Sequence, residues 1–230
     1  MSIENEVVDR STDLSQPLDR LGPDETMKAE SNYLRGTILQ GLAERITAAV
    51  PGNDIKLMKF HGIYQQDDRD IRDERRRQKL EPDYRFMIRV RLPGGVCSSA
   101  QWLKIDELAR AHGGDQVRLT TRQTFQFHWV IKEDVQSAIR GLHEELLDTI
   151  AACGDDARGV MCTADPRDSA VHAEVAALSK ALSDHVIPKT GAYHEIWYGE
   201  ERVATSEPEE PFYGRTYMPR KFKIGFVVPP

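Results

Sequence analysis

Two stretches of two-residue alternation constrain this chain more than any other feature. In residues 84–92, Tyr84, Phe86, Ile88, Val90 and Leu92 share one parity, and Arg85, Met87, Arg89 and Arg91 share the other. In residues 117–131, Val117, Leu119, Phe125, Phe127, Trp129 and Ile131 are odd, while Arg118, Thr120, Arg122, Thr124, Gln126 and His128 are even. A period of two belongs to a strand with one apolar and one polar face. Fifteen residues exceed a usual strand, so a turn is expected near Arg122 and Gln123. Helical patterns flank these strands. Pro93-Gly94-Gly95 ends the first strand, and Ser99 is a cap for a helix over 100–112 with Trp102, Ile105, Leu108 and Ala109 inward. Asp134 is an N-cap for a helix to about 150, with Val135, Ala138, Ile139, Leu142 and Leu146 as its stripe. A short strand over 160–162 would complete the order β-α-β-β-α-β, a ferredoxin-like α+β unit.

The expected organisation has three parts. Residues 1–58 form an arm and a helix over 31–50, where Leu34, Ile38, Leu42, Ile46 and Val50 recur every four residues. Lys56 to Phe60 is a short apolar run, and His61-Gly62 turns the chain. Residues 59–165 are the ferredoxin-like unit. Residues 166–230 begin a second α+β domain: a helix over 169–186 stopped by Pro188, then strands over 193–198, 202–205 and 221–228. The chain stops directly after the last strand, so this second unit reads as interrupted.

Charge narrows the function. The formal net charge is −6, which argues against a globally basic nucleic-acid binder. The first 30 residues hold eight acids against three bases, leaving the rest nearly neutral. No run approaches the ~18 apolar residues of a membrane span, and the start lacks a signal-peptide pattern. The three cysteines Cys97, Cys153 and Cys162 supply neither a disulfide framework nor four ligands to a zinc or iron–sulfur site. They read as ordinary thiols in a reduced, cytoplasmic globular protein.

Against this background the cations stand out. Arg69 to Lys79 mixes signs at helical spacing and reads as a solvated helix face. Alternation places Arg89 and Arg91, Arg118 and Arg122, and Lys221 and Lys223 in pairs on polar strand faces, with Arg158 in a loop between Asp156 and Gly159. A single strand arginine usually serves solubility. Three strands each carrying a pair suggest a polyanionic ligand, since the guanidinium fork matches carboxylates and oxyanions. An RNA-binding sheet is the rival, but Phe125, Phe127 and Trp129 lie on the apolar parity, opposite the arginines. No phosphate-cradling glycine motif is present. His128 reads as a polar histidine, not a metal ligand, and no residue is assigned to a metal.

Five segments in order resemble the siroheme sulfite and nitrite reductases. They are Lys59-Phe60-His61-Gly62-Ile63-Tyr64-Gln65-Gln66-Asp67-Asp68-Arg69-Asp70, Arg89-Val90-Arg91-Leu92-Pro93-Gly94-Gly95, the block from Arg118 to His128, Pro219-Arg220-Lys221-Phe222-Lys223, and Ser31-Asn32-Tyr33-Leu34-Arg35-Gly36-Thr37-Ile38. The last resembles the NADPH-dependent assimilatory branch. The resemblance implies six-electron reduction of sulfite to sulfide on siroheme, an iron tetrapyrrole with eight carboxylates, coupled to a [4Fe–4S] cluster. Carried over, Arg118, Thr120, Arg122, Gln126 and His128 would hold siroheme. Arg89, Arg158, Lys221 and Lys223 would face the substrate, the arginines binding and the lysines donating protons. NADPH electrons would arrive through a flavoprotein subunit carrying FAD and FMN, docked on the arm. The cluster cysteines of the family lie beyond the C-terminal end of this chain. A ferredoxin-dependent sulfite or nitrite reductase is the alternative enzyme. The non-enzymatic alternative is an inactive truncated fragment that binds a tetrapyrrole or anion.

Overall fold

A computed structural model describes residues 17–163, 169–190, 210 and 212–229. The expected strands over 193–198 and 202–205 lie outside the described residues.

The central layer is a four-stranded antiparallel sheet. Its strands are β1 (Ile63–Asp67), β2 (Tyr84–Arg89), β3 (Val117–Leu119) and β4 (Phe125–Val130), in the order β1-β2-β4-β3. The long alternating stretch does break into a hairpin at Thr121–Gln123. There Thr120 N donates to Thr124 O, and Thr120 Oγ1 accepts from the Arg122 N–H at 3.2 Å. Between β2 and β3 runs the helix Ser99–His112. Its capping box comes from Ser98 and Gln101, one residue before the expected Ser99 cap. The helix Lys132–Glu144 follows β4. These two helices cover one sheet face. Phe86, Ile88, Phe127 and Val130 pack there with Ile105, Leu108, Val135, Ala138, Ile139 and Leu142 in one hydrophobic cluster.

The ferredoxin-like arrangement is present, but its outer strand beside β2 is supplied by β1, at the N-terminal end of the expected 59–165 unit. The segment after the second helix only touches that edge, through one bridge between Arg91 and Asp148. The expected strand over 160–162 leaves for a separate two-stranded sheet. There β5 (Met161–Cys162) pairs in parallel with β6 (Gly225–Phe226). Of the expected strand over 221–228, only β6 is regular, and Phe222 adds a single bridge to Ala157.

The N-terminal region departs from the expected helix over 31–50. In chain order the helices are α1 (Pro23–Glu30), α2 (Ile38–Ala43), α3 (Gly52–Phe60), α4 (Arg72–Arg77), α5 (Ser99–His112), α6 (Lys132–Glu144) and α7 (Ala170–Val186). Asn32, Tyr33 and Leu34 all have positive φ, and the Ser31 hydroxyl caps this turn by accepting from Leu34 N at 2.9 Å. The four-residue pattern still marks burial at Leu34, Ile38, Leu42 and Val50, but Ile46 is 97% exposed. A periodic spacing can be met by separate short elements when each is pinned by its own turn.

Two smaller corrections share one cause, a left-handed residue that resets the facing of its C-terminal neighbours. Trp129 has φ +65° at a β-bulge, where Phe86 pairs with Val130 but Ile88 pairs with Phe127. Trp129 therefore turns outward, 45% exposed, and Val130 takes the inward place. Leu146 has φ +56° after α6 has ended, so it is exposed and Leu147 is buried instead. Leu119, on the short edge strand, is also exposed. α4 buries none of its residues, as the mixed charges of that stretch suggested. No helix among the described residues is long and apolar enough to cross a membrane.

Candidate functional site

The site grows from the register of the sheet. Arg89 on β2 lies opposite Gln126 on β4, which lies opposite Arg118 on β3. Directly paired residues project to the same face, so these three form a row across the sheet, away from the helices. Thr124 and His128 stand two residues to either side of Gln126 and share its face. With its amide oxygen toward Arg89, Gln126 accepts from Arg89 Nε at 2.9 Å and from Nη2. His128 Nε2 lies 3.4 Å from the same amide group. Burial, then the charges of Arg118 and Arg89, hold the His128 imidazole below its ordinary pKa. It is therefore neutral near neutrality.

The second wall is the loop after α6. Gly154 takes φ +87° and runs against the backbone of Lys59 and Phe60. Arg89 Nη1 donates to Ala152 O at 3.2 Å, Arg158 Nε to Gly154 O at 2.8 Å, and Arg122 Nη2 to Gly159 O at 2.6 Å. Arg122 is held below its ordinary pKa by burial and by the charges of Arg158 and Arg89. Three guanidiniums thus converge from a strand end, a hairpin turn and a loop. A small cleft between Arg89, Arg122, Thr124, Ala152 and Gly159 lies among them. Gln123 locks this wall in place: its side chain donates to Cys162 O at 2.7 Å and accepts from Cys162 N at 3.1 Å.

The third wall is the segment 220–223. Arg158 N donates to Phe222 O, and Phe222 N donates to Asp156 O, both at 3.0 Å. Asp155 accepts from Lys221 N at 3.1 Å and from Arg220 Nη1 at 2.9 Å. Lys221 is therefore anchored beside Arg158 through its backbone, with Lys223 two residues on, and both side chains remain exposed.

Most of the expected residues are brought together. Arg89, Arg118, Arg122, Gln126, His128 and Arg158 share one cationic surface, bordered by Lys221 and Lys223. Thr120 shapes the hairpin and accepts from Arg122 N, so its hydroxyl is engaged by the turn. Arg91 does not join. Its guanidinium pairs with Asp148 at 2.7 Å and Asp184 at 3.0 Å and donates to Ser183 at 3.0 Å. Burial opposes its charge, yet Asp148 and Asp184 raise its pKa above the ordinary arginine value. Sequence reasoning missed Asp156 and Gln123. Asp156 was visible two residues before Arg158, but no periodicity marks a loop residue as buried.

The residues suit a polycarboxylate. Among the described residues, Asp156 is the one acid within 4 Å of Arg89, Arg122 or Arg158, at 3.6 Å from Arg158 Nε. They do not suit a metal cluster. No three His, Cys, Asp or Glu among the described residues could hold an ion. Cys153 is buried, and burial pushes its thiol up to about 12, which keeps it protonated.

Comparison with known proteins bears on the sequence and fold that carry this site. Residues 77–145 match the family model described as the nitrite/sulfite reductase ferredoxin-like half domain. The chain is 75% identical over 222 residues to the sulfite reductase [NADPH] hemoprotein beta-component of Nitrosomonas europaea, covering 96% of this chain and 39% of that protein. It is 57% identical over 215 residues to the protein of the same name from Oceanobacillus iheyensis, covering 93% of this chain and 37% of that one. Among solved structures, the Mycobacterium tuberculosis NirA protein superposes with a TM-score of 0.60 at 22% identity, over 93% of this chain and 36% of that chain, and so shares the fold. The chain spans about two-fifths of the length of these sulfite reductase hemoprotein relatives, and within it residues 77–145 resemble the nitrite/sulfite reductase ferredoxin-like half domain.

Proposed function

We propose that this chain supplies the cationic, substrate-side part of a siroheme and [4Fe–4S] hemoprotein that reduces sulfite to sulfide in the cytoplasm. The convergence of Arg89, Arg122 and Arg158, with Asp156 as their one close acid among the described residues, carries this reading. When bound, the iron tetrapyrrole would supply the electrons and the metal on which sulfite is reduced. The chain's own part is binding and proton handling. Arg118, Arg122, Gln126 and His128 line the sheet side, where guanidinium forks and the amide would hold ring carboxylates, with Thr120 setting the turn that carries Arg122. Arg89 and Arg158, permanently charged, would hold the oxyanion. Lys221 and Lys223 would donate protons as oxygen leaves, since an ammonium beside a bound anion can act as a general acid. Electrons would come from an NADPH-oxidising flavoprotein docked on residues 1–58. The three cysteines supply no cluster site, so in this reading the cluster ligands belong to polypeptide other than these 230 residues. That last point favours a second reading, in which these residues alone bind a tetrapyrrole or anion without turnover.

The test is substitution in a complete hemoprotein carrying this sequence. Arg89→Ala or Lys221→Ala is expected to lower sulfite-dependent electron consumption by about 10²-fold or more while siroheme absorbance is largely retained. Equal loss of both would overturn the assignment of these residues to the substrate side.

A further inference from the structure

Asp156 is a buried acid to which the proposed function gives no task. It is 2% exposed, and neither carboxyl oxygen has a hydrogen-bond partner among the described residues. Among the described residues its one close cation is Arg158, at 3.6 Å, too far for a hydrogen bond. Arg158 Nε already donates to Gly154 O. An ionised carboxylate ordinarily accepts several hydrogen bonds when buried, so here the guanidinium field of Arg158 is what favours the charged form. The other groups facing it are Asp155 on the same loop, Cys153 below it, and Tyr213 from the turn at 212–216. The Tyr213 hydroxyl is committed to Val186 O at 2.7 Å, and burial keeps the Cys153 thiol neutral. Asp155 is tied to Arg220 and Lys221 N.

An oxyanion seated among the arginines would place negative charge on the other side of Arg158 and compete for its field. The carboxylate would then face a like charge in a poorly solvated place. Its neutral form loses no hydrogen bond, because none is made. We propose that Asp156 is the internal counter-ion of this cation cluster, and that it takes up one proton when an oxyanion binds against Arg158. The proton comes from solvent and forms an O–H bond on the Asp156 carboxyl, and no other bond changes. Burial, helped by Asp155 and opposed by Arg158, already pushes this carboxyl well above the usual carboxylate range. This inference rests on the cluster being an oxyanion site.

The experiment uses the 230-residue chain and inorganic sulfate, which keeps its double charge between pH 5 and 9. Calorimetric titration in two buffers of different protonation heat counts the protons taken up. The His128→Gln background removes the imidazole's own contribution. Proton uptake is expected with Asp156 present and absent in Asp156→Asn. That variant should also bind sulfate about fivefold or more tightly at pH 8. Carboxyl-carbon shifts of Asp156 in the unsubstituted chain, with and without sulfate, report the same protonation without any substitution. Sulfate binding with no proton uptake, or with uptake unchanged in Asp156→Asn, would overturn the coupling alone. No sulfate binding at all would overturn the site reading and the coupling together.

Discussion

Arg89 and Arg91 share a parity and a residue type, yet one faces the site and the other is consumed by Asp148 and Asp184. Alternation reports which face a side chain takes, and it says nothing of what waits there. Gly62 shows a stricter local requirement. Its φ is +77°, and a Cβ there would lie 2.3 Å from Thr149 O and 2.9 Å from Arg89 O, both backbone atoms. Because Gly62 O also accepts from Arg89 N at 2.9 Å, this turn seats the strand end that carries the first site arginine. Gly62→Ala is expected to cost roughly 2–4 kcal/mol in urea denaturation. A change within about 0.5 kcal/mol would refute that tight fit. The histidines set an acid limit. Burial lowers the pKa of His61 and His128 below 6.5, with Arg118 and Arg89 adding to the effect at His128. The unfolded chain therefore binds more protons, and these groups weaken the fold as pH falls below about 6.5. Their contribution is fully present above that value. Asp156 carries the opposite sign, so the comparison is made against the unsubstituted chain. His128→Gln should flatten the fall of the urea midpoint between pH 7.5 and 5, and an unchanged slope would show that folding does not lower the His128 pKa.

At the scale of elements, the β2, α5, β3, β4 and α6 segments were legible in the sequence because each carries a strong period. The turn at Arg122 and Gln123 was legible from length alone. The failures occurred where tertiary contacts end an element. α6 stops at Glu144 through a left-handed Leu146, and the four-spaced stretch over 31–50 is broken by the capped turn at Ser31. The pairing of β5 with β6 was not legible, since two-residue strands have no period to read. α7 is attached to this framework partly through Arg91, whose side chain is 10% exposed. Removing it leaves Asp148 without its cation, while Asp184 keeps Lys180. Breaking a fully buried pair costs about 3–5 kcal/mol, and the partial exposure of Asp184 reduces this. Arg91→Ala is accordingly expected to lose about 2–3 kcal/mol, with Arg91→Lys recovering part of it. Thermal unfolding checks this, and a loss below about 0.5 kcal/mol would show that the network is not what fastens α7.

At the scale of the molecule, a chain of net charge −6 assembles a local surface of opposite sign. Like charges at Arg89, Arg122 and Arg158 repel one another, so an oxyanion that bridges them should stabilise the fold by mass action. Sulfate is expected to raise the melting temperature more than chloride at equal ionic strength. The excess should shrink in Arg122→Gln, which keeps the general salt effect but removes one guanidinium. An equal excess in both proteins would mean that sulfate acts on the whole surface and not on this cluster. The sequence by itself determined the alternating strands, the helices between them, the parity of Arg89, Arg118 and His128, and the family resemblance, because these are local patterns of spacing and residue type. Only the tertiary structure decided that β1 completes the sheet, that Arg91 is spent on an ion-pair network, and that Asp156 is buried beside Arg158. Those outcomes depend on which distant segments meet, and no local period encodes the partner that a side chain finds across the fold.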